Sequence, residues 1–134
     1  MLRYTGIRVR DLERARTFYT RGLGLTVGPT GRMASGGVWQ WLKDPDSGAI
    51  LELNYYPDSP PYREGDELDH LGFRIHGLEA LIPRLTALGA RLRIPPFKEG
   101  NARIAFLADP DGVWIELREG EPGEDSPPTS QAVG

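Results

Sequence analysis

The stretch "YTGIRVRDLERA", beginning at Tyr4, returns as "HLGFRIHGLEAL" 66 positions later at His70. Gly6 then meets Gly72, Arg8 meets Arg74, Val9 meets Ile75, Leu12 meets Leu78 and Glu13 meets Glu79. Near the end of each copy, "DPDSGAILELN" from Asp44 is answered 65 positions later by "DPDGVWIELRE" from Asp109, and Glu52 is answered 64 positions later by Glu116. A duplication limits the fold more strongly than composition does. Both copies must adopt one supersecondary unit, and a unit this small needs its neighbour to bury its apolar face. The chain therefore divides into a first module over residues 1–57, a linker over 58–67, a second module over 68–118 and a tail over 119–134.

Each module reads as a strand, a helix and three shorter strands, an α+β arrangement of two βαβββ units. The opening strands are expected at Arg3 to Val9 and His70 to His76. In the first helix Leu12, Ala15, Phe18 and Tyr19 recur at helical spacing behind Asp11, a natural N-cap. Arg14, Arg16 and Arg21 fall on its polar, solvated face. In the second helix Leu78, Leu81, Ile82, Leu85 and Leu88 form a fuller stripe, closed by Gly89. Pro83 fits if that helix starts after Leu78, and otherwise kinks it. "GPTGRMASGG", Gly28 to Gly37, is expected to be a flexible loop, and so is the linker "PDSPPYREGDE". The tail is Pro, Gly, Ser and acid with almost nothing apolar, so it is expected to be disordered.

Side chains alternate along a strand. Leu51, Leu53 and Tyr55 face one way and Ile50, Glu52 and Asn54 the other; Val113, Ile115 and Leu117 oppose Trp114, Glu116 and Arg118. Each glutamate thus sits on a face with apolar neighbours, where an uncompensated carboxylate is costly or becomes protonated. Two compensations fit. One is an ion pair with Arg8, Arg74 or Arg103, all on expected strands. The other is a metal ion, since the same pairing of first and fourth strand occurs twice: Tyr4 with Glu52, and His70 with Glu116. Modules related by a twofold axis would bring the four together. An imidazole nitrogen with carboxylate and phenolate oxygens suits Ni, Co, Fe, Mn or Zn. His76, near the far end of its strand, is expected to be exposed.

Other chemistries find little support. The formal net charge is −3 and the sixteen Lys and Arg are scattered, which gives no nucleic-acid signal. No apolar run approaches the ~20 residues of a membrane span, and no signal-peptide pattern opens the chain. The absence of cysteine excludes disulfides, thiolate metal sites and a Cys nucleophile. A cytoplasmic location is the expectation. There is no Gly-x-Ser-x-Gly elbow and no Gly-rich phosphate loop.

The segments "YTGIRVRDLERARTFYTRGLGL", "ILELNYY", "LDHLGFRI" and "KEGNARIAFLADPDGVWIELRE" resemble the vicinal oxygen chelate superfamily, and within it glyoxalase I (lactoylglutathione lyase) above all. The likeness covers about Tyr4 to Glu119. It implies paired βαβββ modules whose mixed sheet curls around a divalent metal ion, helices on the outside, and a homodimer with each site built from both subunits. It implies that Glu52, His70 and Glu116 are metal ligands and that Glu116 is also the catalytic base. It implies that Arg8 and Lys98, the latter in the loop before "IAFLADPDG", bind carboxylates of a thiol such as glutathione, with Trp39, Trp41, Trp114 and Phe97 lining the pocket. The chain departs from the pattern twice. The first ligand position, usually His or Gln, is Tyr4, whose phenol ligates only if it ionises. Tyr56 stands four residues beyond Glu52, where an Asn is usual.

The implied reaction is proton transfer within the thiohemiacetal of a 2-oxoaldehyde, a small-molecule thiol adduct, through an enediolate. Three alternatives stay open: an acyl-CoA epimerase, an extradiol-type dioxygenase (which needs His at position 4), and a non-catalytic drug-sequestering protein of the bleomycin-resistance type.

Overall fold

The computed structural model describes residues 1–58, 62, 63, 65 and 67–120. The tail beyond 120 and part of the linker lie outside the described residues, and with them the expectations made there.

The first module contains β1 (Thr5–Arg8), α1 (Leu12–Thr17), a π-helical turn (Phe18–Gly22), β2 (Thr26–Arg32), β3 (Val38–Lys43) and β4 (Ile50–Tyr55). The second contains β5 (Leu71–Arg74), α2 (Leu78–Ala87), β6 (Arg91–Glu99), β7 (Ala102–Ala108) and β8 (Trp114–Glu119). Two four-stranded mixed sheets result, ordered β1-β4-β3-β2 and β5-β8-β7-β6, and they do not close on each other. In each, the first strand runs parallel beside the last, so Gly6 is the register partner of Glu52 and Gly72 that of Glu116. That register carries the duplication into three dimensions.

Local chemistry explains the helix ends. The Asp11 carboxylate accepts the Arg14 N–H at 3.0 Å and caps α1. At the start of α2, the Leu78 N–H donates to the Glu119 carboxylate at 2.6 Å, an anion on the positive end of the helix. The helix begins at Leu78 and runs through Pro83, which has no N–H for the Glu79 carbonyl; a start after Leu78 does not hold. Gly89 closes it with φ +106, its N–H donating to Thr86 O and the next N–H, of Ala90, to Leu85 O. This is the Schellman pattern, and a Cβ at Gly89 would also stand 3.1 Å from Pro110 Cγ.

The expectation of a loop from Gly28 to Gly37 is corrected. Gly28 to Arg32 belong to β2, which pairs with β3 across a bulge between Val27 and Thr30. The reason is Gln40, buried on β3, whose side-chain amide donates to the Gly28 and Pro29 carbonyls at 2.9 and 3.2 Å. Those carbonyls would otherwise lack partners at the bulge. Lys98 likewise lies on β6 opposite Arg103, rather than in a loop.

A single core joins the modules. Ile7, Phe18, Tyr19, Leu42 and Leu53 of the first pack with Leu78, Leu85, Ile115 and Leu117 of the second. The helical segments touch directly: a Cβ on Gly22 would stand 2.7 Å from Leu85 Cδ2. One face of each sheet is spent on this core. The glutamates lie on the other faces.

Candidate functional site

The two open faces carry different half-sites. On the first sheet, Trp41 is the cross-strand partner of Glu52, and its indole N–H donates to Glu52 Oε2 at 2.6 Å. A charge-assisted bond this short fixes the carboxylate and leaves its other oxygen, Oε1, beside Gly6. The Tyr4 ring lies 5.4 Å from that of Trp41, which lies 6.0 Å from Trp39, while the Arg3 guanidinium sits 5.4 Å over Trp41. The aromatic wall and the carboxylate are one unit.

On the second sheet His70 precedes β5. Its Nδ1 is 2.6 Å from Asp69 Oδ2, and its Nε2 is 3.5 Å from Glu116 Oε2. With Nδ1–H donating to Asp69, the lone pair is on Nε2. It then faces a carboxylate oxygen, and two acceptors meet that way only with a proton or a cation between them. Orientation of a histidine by a neighbouring carboxylate is a common support for metal ligation. The Glu116 side chain is 23% exposed, enough for access while partly shielded from water. Gly72 opens space beside it, since a Cβ there would stand 3.5 Å from Glu116 Oε2.

Among the described residues of one chain, no three His, Asp or Glu side chains gather closely enough to hold a metal ion. Glu52 is in one half-site, and His70 with Glu116 in the other. The donor set suits a borderline divalent cation, but its members are divided between two sheets.

Two of the three arginines contact groups away from the site glutamates. Arg8 sits 5.0 Å over the Tyr56 ring and 5.7 Å over Tyr62. The Tyr56 that replaces the usual Asn thus contacts the arginine implied in thiol binding. Arg103 pairs with Glu79, so of the three arginines it is accounted for without either site glutamate. Lys98 is exposed on β6, Trp114 is 39% exposed, and His76 is exposed just past β5.

One lining residue escaped the sequence reading. Phe106 is the register partner of Glu116, and its ring lies 5.6 Å from His70, 6.5 Å from Phe97 and 6.1 Å from Trp114. The signal was present: Phe106 follows Trp41 by the same 65 positions that separate the Asp-Pro-Asp turns.

A sequence model for the Glyoxalase/Bleomycin resistance protein/Dioxygenase superfamily matches residues 2–117. The chain belongs to this superfamily. It is 30% identical over 119 residues to a probable lactoylglutathione lyase of Vibrio cholerae serotype O1, covering 85% of this chain and 86% of that one. It is 30% identical over 132 residues to a lactoylglutathione lyase of Neisseria meningitidis serogroup A, covering 93% and 94%. The trypanothione-dependent glyoxalase I of Leishmania major superposes with a TM-score of 0.74 at 26% identity, covering 89% of this chain and 86% of that one. The superfamily accounts for the paired mixed sheets. Among the described residues, no helix is long and apolar enough to cross a membrane.

The Trp41 bond makes a test of the first half-site. Trp41→Phe keeps the ring and removes the only indole N–H aimed at Glu52 among the described contacts. Loss of such a supporting bond lowers metal affinity by about 10–100-fold. The expected result is that loss in a zinc or nickel titration, with thermal stability nearly unchanged; an unaltered affinity removes Glu52 from the binding set.

Proposed function

We propose that the chain is a metal-dependent lyase of the glyoxalase I type, acting on the thiohemiacetal of a 2-oxoaldehyde. The observation that carries this is the placement of His70 Nε2 3.5 Å from Glu116 Oε2 on an open sheet face, where one divalent cation would be held by both. Two copies of the chain, with open faces apposed, complete the set: Glu52 of one chain joins His70 and Glu116 of the partner subunit. Tyr4 stands at the fourth corner. More than a third of Tyr4, Phe97 and Trp114 is exposed on one chain, apolar surface that such pairing covers.

The bound ion, one of Ni, Zn, Co, Mn or Fe, supplies Lewis acidity to the two adjacent oxygens of the substrate. The chain's own groups do the rest. Glu116 takes the proton from the carbon bearing sulfur and oxygen and returns it to the neighbouring carbon, a transfer helped by its partial shielding. His70, held by Asp69, and Glu52, held by Trp41, keep the donor atoms in place. Phe97, Phe106 and Trp114 exclude water from one wall, and Trp39 and Trp41 from the other. Arg8, whose guanidinium lies over the Tyr56 and Tyr62 rings, meets a carboxylate of the thiol, and Lys98 meets another.

Metal content of the purified protein tests the reading first. About one divalent ion per chain is expected, followed by isomerisation of methylglyoxal adducts. Glutathione, bacillithiol and coenzyme A are compared because Tyr56 alters the thiol-binding wall. If nickel, zinc, cobalt, manganese and iron neither bind nor stabilise the protein, the enzyme reading fails. If metal binds but no adduct turns over, the lyase reaction fails and the metal site stands.

A further inference from the structure

Away from both glutamate faces, the turn Asp109 to Gly112 forms the floor of a cleft of about 340 Å³. Four arginines line it: Arg10 and Arg14 from the first module, Arg91 and Arg93 from β6. The acids beneath them are engaged except at Asp111 Oδ2, which is buried with no hydrogen-bond partner among the described residues. Asp109 is buried and accepts the Tyr19 hydroxyl at 2.6 Å and the N–H groups of Asp111 and Val113 at 2.8 Å. Asp111 Oδ1 accepts the Arg10 N–H at 3.0 Å and Arg14 Nη2 at 3.3 Å. Arg91 and Arg93 are exposed and have no acidic partner among the described residues. Even with both aspartates ionised the cleft carries net positive charge, in a chain whose formal net charge is −3.

The position of Arg93 is built into the strand. Arg91 and Leu92 keep register with Ala108 and Leu107, and Ile94 already pairs with Phe106, so Arg93 is the extra residue of a bulge. Bulges re-aim side chains, and this one leaves Arg93 lining the same cleft as Arg91. Guanidinium forks match the oxygens of a phosphate in pairs, and four of them around one small concavity suit a dianion.

We propose that this cleft binds a small phosphate-bearing molecule, with Arg91 and Arg93, which have no acidic partner among the described residues, as its anchors and Arg10 and Arg14 at the opposite wall. The volume suits a phosphate ester or diphosphate. A polymer such as nucleic acid fits poorly, because the four arginines are gathered in one small concavity rather than spread along a surface that could track an extended backbone. None of Glu52, His70 and Glu116 lines the cleft, so the site is independent of the lyase chemistry.

The full chain is titrated with inorganic phosphate and with pyrophosphate, followed by amide NMR shifts at constant ionic strength with chloride as the control anion. Saturable shifts confined to Arg10, Arg14, Arg91–Arg93 and Asp109–Gly112 are expected, tighter for pyrophosphate. The double substitution R91Q/R93Q lies on an exposed strand and is expected to weaken binding by about tenfold or more, as two charge-assisted contacts are lost. Glu116→Gln leaves the titration unchanged, which separates this site from the metal site. Shifts that follow chloride equally, or R91Q/R93Q binding pyrophosphate like the parent, overturn the proposal as an adventitious charge effect. Binding of a single-stranded oligonucleotide as tight as that of pyrophosphate also overturns it, in favour of a polymer surface.

Discussion

Replacing Glu116 with Gln is expected to lower kcat on the methylglyoxal adduct by about 10²–10⁴-fold, the usual contribution of a positioned general base. The substitution is nearly isosteric, and Glu116 lies on an open face beside Gly72, so the fold has little to adjust. What changes is chemistry. An amide cannot accept the substrate proton, and His70 Nε2 loses the anionic oxygen 3.5 Å away. Metal affinity falls as well, so the assay is run with metal in excess and the bound ion is counted. Full occupancy with lost turnover assigns the proton transfer to Glu116. Turnover within tenfold of the parent at full occupancy sinks that assignment and leaves the residue as a ligand only.

Asp109→Ala is expected to destabilise the protein by about 3–5 kcal/mol, read as a lower urea midpoint. The carboxylate accepts three hydrogen bonds, from the Tyr19 hydroxyl and the backbone of Asp111 and Val113. Tyr19 is fully buried, so its hydroxyl would be left without an acceptor or water. Burial pushes the Tyr19 phenol well above its ordinary pKa, reinforced by the Asp109 charge, and it remains a donor. The bond also ties the helical segment of the first module to the last loop of the second, so both halves lose support. Asp44 is the natural control. It is the repeat equivalent, but among the described residues its carboxylate bonds only to the Asp46 N–H and the Ser47 hydroxyl in its own turn. Asp44→Ala is expected to cost about 1 kcal/mol, and equal losses at the two positions would refute an inter-module role for Asp109.

Asp109 also has a pH signature. Burial raises its pKa above the ordinary carboxylate value, against the lowering effect of its hydrogen bonds. The native state then holds the proton more tightly than the unfolded state. Between the unfolded and the folded pKa, this group makes stability fall as pH rises, and above the folded value its cost is fully present. Asp109→Asn removes that slope, so the gap between the two proteins shifts toward the Asn form as pH climbs through the window.

Much of this was legible in the chain. The duplication, the βαβββ order, the Asp11 cap, the Gly89 closure and the outward faces of Glu52 and Glu116 follow from spacing and periodicity, which act over a few residues or between near-identical segments. The strand character of Gly28 to Arg32 was hidden because its support comes from Gln40, on the neighbouring strand. The strand position of Lys98 rests on β6 being an irregular edge strand, where its two prolines are tolerated. Phe106 went unnoticed because only register sets it opposite Glu116.

The sequence by itself determined that two equivalent carboxylates would stand at matching points of two equivalent sheets, since a repeated pattern of side-chain alternation can produce nothing else. Only the tertiary structure decided that the equivalents are used differently. Packing the helical faces of both modules into one core turned Asp109 and Asp111 inward and left Asp44 half-buried and Asp46 exposed. It gave Glu52 an indole partner and Glu116 an imidazole, and it kept those pairs on separate sheets. A repeat fixes local geometry twice over; what each copy meets depends on contacts between segments far apart in the chain, which no local pattern encodes.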